Sequence, residues 1–81
     1  MTIEELNIRI YDVIRSSTET ELELREDLNL ITQMGLSSVE IMLMISDLED
    51  AFGIELPISE LREITTVGDL SLVVRQTICK N

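Results

Sequence analysis

The sequence predicts an all-α fold: a small four-helix bundle of three longer helices and one short helix, with a long first loop. Two observations predict it. Hydrophobic residues make up 44% of the 81 residues while aromatics make up only 2%, so the core must be Ile, Leu, Val and Met, which suits helices packed on helices. Three capping patterns each precede an apolar stripe of helical period. The length fits one domain, residues 1–81, and a chain this short hides only about 60% of the surface its unfolded form would expose.

The elements follow in order. Thr2 and Glu5 form the first capping pattern, and Ile3, Leu6, Ile10, Val13 and Ile14 then recur at helical spacing, predicting a helix over Ile3 to Ser16. From Ser17 to Leu36 the period fails, yet Leu22, Leu24, Leu28, Leu30 and Ile31 imply a loop pinned across the bundle rather than a disordered linker. Ser37 with Glu40 caps a second helix that runs to Phe52, where Gly53 can take the left-handed conformation that ends helices. After Pro57, the segment Ser59 to Ile64 has room for about a turn and a half. Thr66 with Asp69 opens the last helix, whose stripe of Val67, Leu70, Val74 and Ile78 ends near Cys79.

Charge narrows the function classes. Sixteen acidic against six basic residues give a net charge of -10, and no Lys or Arg lies between Arg25 and Arg62. Such a field repels nucleic acid and anionic membranes and steers toward basic partners. The acidic start MTIEELN is no secretory signal, and the longest apolar run, Ile41 to Ile45, is far short of a bilayer span. A single cysteine, Cys79, cannot form an internal disulfide, which fits a reducing, cytoplasmic setting, and the chain is expected to act as a monomer. At a helix C-terminus its thiol is expected to be inert. The acidic run from Asp47 fails as a calcium loop, since Ala51 and Phe52 stand where a ligand and the turn glycine are needed.

On the second helix, a turn of about 100° per residue gathers Ile41, Ile45, Leu48 and Phe52 into a core sector, with Met44 on its flank. Roughly opposite, Val39, Met42 and Leu43 share a surface with Ser46, Glu49 and Asp50. Three apolar residues rimmed by carboxylates read as a partner-docking strip. They could equally pack beneath the long first loop, and spacing alone leaves both readings open.

Two serines open that helix in a chain with no histidine. Nucleophilic serine catalysis needs an adjacent base, and the only lysine is Lys80, next to the end of the chain. Ser37 is explained by capping. Ser38, one position on, is a candidate substrate for another enzyme, and an anionic group attached there would meet the positive end of the helix.

From Gly35 onward the chain resembles the acyl carrier proteins: Gly-x-x-Ser-hydrophobic at 35–39, Glu40, LMISDLEDAFGIELP at 43–57 and ITTVGDL at 64–70. The resemblance implies a four-helix carrier domain, not an enzyme, whose Ser38 receives 4'-phosphopantetheine from coenzyme A through a separate holo-synthase. Acyl groups then ride as thioesters on that arm and are delivered to synthases and acyl transferases of fatty acid, polyketide or related biosynthesis. Partners in the family are similar in using basic patches, for which Val39, Glu40, Met42, Leu43, Glu49 and Asp50 are the matching positions. In the family, the acyl chain can also slip between helices. Ser37 stands where the family usually has aspartate, and Leu43 where it often has glutamate. The competing reading is an acidic helical interaction module without a prosthetic group.

Overall fold

A computed structural model describes residues 2–80, the side chains of Ile58, Glu60 and Lys80 excepted. Among the described residues there are three helices, α1 (Ile3–Thr18), α2 (Ser38–Phe52) and α4 (Val67–Lys80), with a single helical turn, α3 (Ile58–Leu61), before the last. The short segment thus starts one residue earlier than expected and ends at Leu61, because Ile64 N–H turns back to the Leu61 carbonyl at 3.4 Å instead of extending the helix.

Each long helix begins where the local chemistry dictates. Thr2 Oγ1 accepts the Glu5 N–H at 3.1 Å, and α1 runs two residues past Ser16 to Thr18, whose hydroxyl donates to the Ile14 carbonyl. At α2 the capping box is complete: Ser37 Oγ accepts the Glu40 N–H, and Glu40 Oε1 accepts the Ser37 N–H, both at 3.2 Å. At α4 the same exchange links Thr66 and Asp69. The Thr65 backbone N–H, together with the Thr65 hydroxyl and the Thr66 N–H, holds the Asp69 carboxyl below the usual carboxylate range.

The core is aliphatic. Leu6, Ile10 and Ile14 from α1, Met44, Ile45 and Leu48 from α2, and Val67, Leu70, Val73 and Val74 from α4 are buried. Each fully buried side chain of this size contributes about 1.5–3 kcal/mol. Two expectations are corrected. Met44 and Leu48, not Ile41 and Phe52, form the centre of the α2 face, and the latter two are only half-buried. The reason is that α2 is apolar around most of its girth, so its neighbours choose the inward face. Ile3 is 69% exposed, the buried stripe of α1 beginning only at Leu6. Ser71 is buried with its hydroxyl unpartnered among the described residues.

The long first loop is held across the bundle, as expected, but not by all its leucines. Leu24, Leu28, Leu30 and Leu36 are buried, whereas Leu22 and Ile31 stay exposed. Backbone pairing explains the division at Ile31. Leu30 N–H donates to the Thr65 carbonyl and Val67 N–H to the Leu28 carbonyl, an antiparallel bridge that joins Asn29 to Thr66. In such extended chain Leu28 and Leu30 point inward and Ile31 outward. Gly68 N–H donates to the Glu26 carbonyl, and a Cβ at Gly68 would meet that oxygen at 2.8 Å, so only glycine lets the loop approach α4. Arg75 completes the α1–α4 seam by donating to Asn7 Oδ1, and Arg9 lies 5.2 Å from the Phe52 ring centre, across α1 and α2.

Candidate functional site

The turn before α2, anchored by buried Leu30 and Leu36 at its ends, delivers the first residues of the helix to the surface. Asn29 organises that turn: its side-chain oxygen accepts the N–H groups of Ile31 and Thr32, and its carbonyl accepts those of Gln33 and Met34. Leu36 then enters the core, which leaves Ser37, Ser38, Val39 and Glu40 exposed as the first turn of α2 forms.

The two serines have different tasks. Ser37 Oγ is engaged by the Glu40 N–H, so its lone pair serves the helix. Ser38 is exposed at the first helical position, with no such commitment among the described residues. The leading N–H groups of a helix have no acceptor within it, and Ser38, as the first residue of α2, stands at that positive end of the helix dipole. A phosphodiester on Ser38 fits this setting, since its charge would lie at the positive end of the helix.

Along α2, the predicted docking residues separate into two groups. Val39, Met42 and Leu43 are exposed at 65%, 69% and 60%, which removes the reading that they pack beneath the first loop. Asp50 is exposed on the same side. Asp47, which the sequence reading left out, is exposed there too, and helical spacing could have found it, since it lies between Leu43 and Glu40 in projection. The outer face is thus apolar in the half nearest Ser38 and acidic in the far half. Glu40 is exposed but tied into the capping box. Glu49 departs from the expected face: it is half-buried, and its Oε2 accepts the Leu56 N–H at 2.8 Å.

Beside Glu49, one flank of α2 and the segment after it form an open groove of about 380 Å³. Met42, Ile45, Leu56 and Leu61 supply its apolar walls, and Ser46 and Glu55 its rim. Among the described residues no helix is long and apolar enough to cross a membrane.

Comparison with known proteins bears directly on this arrangement. The family model described as "Phosphopantetheine attachment site" matches residues 9–74. The acyl carrier protein of Lactobacillus acidophilus is 34% identical over 70 residues, covering 85% of this chain and 88% of that protein. That of Lactobacillus johnsonii is 31% identical with the same coverage. Among solved structures, a candidate acyl carrier protein from Mycobacterium tuberculosis superposes with a TM-score of 0.81 at 25% identity, covering 88% of this chain and 96% of that one. The solution structure of the holo acyl carrier protein from Geobacter metallireducens shares the fold, with a TM-score of 0.80 at 20% identity over 91% of this chain and 86% of that one. With an exposed serine opening the second helix of that same fold, the chain belongs to the acyl carrier protein family, non-catalytic carriers whose prosthetic group is 4'-phosphopantetheine.

Proposed function

We propose that this chain carries acyl intermediates on a 4'-phosphopantetheine arm esterified to Ser38. The single observation behind the choice of residue is that Ser38 is the exposed serine of the pair whose hydroxyl is free, Ser37 being the cap. A separate holo-synthase supplies the base this histidine-free chain lacks: the Ser38 oxygen attacks the coenzyme A diphosphate, the proton leaves to that enzyme's base, and adenosine 3',5'-bisphosphate departs. Once attached, the arm ends in a thiol that holds acyl groups as thioesters. Tethering then gives the cargo a high effective concentration at each partner's active site.

The protein's own residues bind and orient. Val39, Met42 and Leu43 offer apolar contact next to Ser38, while Glu40, Asp47 and Asp50 attract acyl transferases and synthases with basic docking patches. The groove walled by Met42, Ile45, Leu56 and Leu61 takes the alkyl part of the cargo. We read the α3 turn as the short fourth member of the bundle. The acidic surface and single cysteine support a monomer acting in the cytoplasm, in fatty acid, polyketide or related biosynthesis.

Incubation of the full chain with coenzyme A and a permissive holo-synthase is expected to add the mass of phosphopantetheine. Ser38→Ala should abolish that gain completely while leaving the helical circular dichroism unchanged. A chain that keeps its bare mass with several such synthases would instead be an acidic helical interaction module.

A further inference from the structure

One residue gathers the chain as it leaves α2. The Glu49 carbonyl accepts the N–H groups of Gly53 and of Ile54, the latter at 3.1 Å, and its carboxylate reaches seven residues on to the Leu56 N–H. Leu56 is 3% exposed, with its side chain in the core and also in the wall of the groove beside Met42, Ile45 and Leu61. Its place is therefore fixed from two sides: the core holds the side chain, and Glu49 holds the backbone. Among the described residues, no other acceptor takes a backbone N–H between Ile54 and the α3 turn.

We propose that Glu49 is a positioning residue that clasps Leu56 against α2 and so sets the width of the groove. It acts as a hydrogen-bond acceptor, not as a docking charge. Two observations favour the clasp over the docking role. Glu49 is half-buried, a quarter-turn or more round the helix from Asp47 and Asp50, both of which are exposed. Its Oε2 is already committed to the Leu56 N–H at 2.8 Å, well within hydrogen-bond range. The consequence for cargo rests on the carrier reading above, but the clasp itself does not.

The two roles separate because reach and charge can be removed one at a time. Glu49→Gln keeps an oxygen at the same reach and loses the charge, Glu49→Asp keeps the charge and loses one methylene of reach, and Glu49→Ala loses both. In the unmodified full chain, amide hydrogen exchange at Leu56 should stay within about twofold of the parent in Glu49→Gln and accelerate about tenfold or more in Glu49→Asp and Glu49→Ala. On the loaded chain, cleavage of an octanoyl thioester by hydroxylamine should follow the same order, with Gln like the parent and Asp and Ala severalfold faster. If Gln behaves like Ala while Asp behaves like the parent, charge is what matters and the clasp is wrong. Unchanged Leu56 exchange in Glu49→Asp also overturns it, and the Asp and Gln variants suffice if Glu49→Ala does not fold. A chain that accepts no arm removes the carrier reading, and Leu56 exchange still decides the clasp.

Discussion

The two ends of α2 make opposite use of the same backbone problem. At the C-terminal end, Gly53 and Ile54 N–H groups close on the Glu49 carbonyl and Leu56 N–H on its carboxylate, so the chain leaves the helix tightly bonded. At the N-terminal end the capping box of Ser37 and Glu40 holds the first turn, and Ser38 stands exposed beside it. The difference teaches where a modifiable group can sit. A hydroxyl already needed by the helix is a poor substrate, whereas its neighbour on the same turn can be taken by a foreign enzyme without disturbing the fold.

The largest way to break this contrast is to exchange stability and loading between the ends. Gly53 has φ of 62°, and an alanine there must adopt the left-handed conformation, so Gly53→Ala should lower stability by about 1–2 kcal/mol in urea titrations yet load at the parent rate. Ser37→Ala should cost about 1 kcal/mol for the lost cap and still be loaded, since the cap is not the attachment point. Ser37→Asp keeps the cap and restores the residue usual at this position, so loading by a standard holo-synthase should accelerate. Loss of loading in Ser37→Ala with the fold intact would erase the distinction between the two serines.

A smaller effect lies at α4, which begins with the same box as α2 but adds a carboxylate with three donors. The Asp69 pKa is depressed in the folded chain, so its stabilising share is present above the unfolded carboxylate value of about 3.9 and is lost as pH falls through the lower folded value. Acid titration monitored by circular dichroism should show the parent losing stability in that window more steeply than Asp69→Asn, whose side chain does not titrate. Identical acid limbs would mean that the donors around Asp69 do not hold its charge.

Smallest is the response to salt. The ion pair found among the described residues, Arg25 with Asp27 at 3.6 Å, is between exposed side chains and contributes little, while the acidic face has no counter-charges along α2. Added salt or divalent cations should therefore raise the melting temperature by a few degrees. Indifference would place the carboxylates farther apart than the outer face of α2 implies.

What could be read from the sequence was local. Thr2, Ser37 and Thr66 announce their helices because a cap needs only residues three apart, and Gly53 ends α2 for a reason internal to one residue. What could not be read depended on partners distant in the chain. The bridge from Asn29 to Thr66, which turns Leu30 inward and Ile31 outward, has no signature in either segment alone. Likewise, periodicity gave α2 an apolar sector but not its centre, because Met44 is chosen over Ile41 by what packs beside it. Glu49 shows the same limit at the site: its charge suggested docking, and only the reversal after Gly53 brings Leu56 N–H to its carboxylate.

The most direct measurement is to locate the adduct by fragmentation mass spectrometry after loading the full chain from coenzyme A. All phosphopantetheine should be found on Ser38 and none on Ser37. An adduct on Ser37, or on any residue outside the first turn of α2, would contradict the assignment of the free hydroxyl as the attachment point.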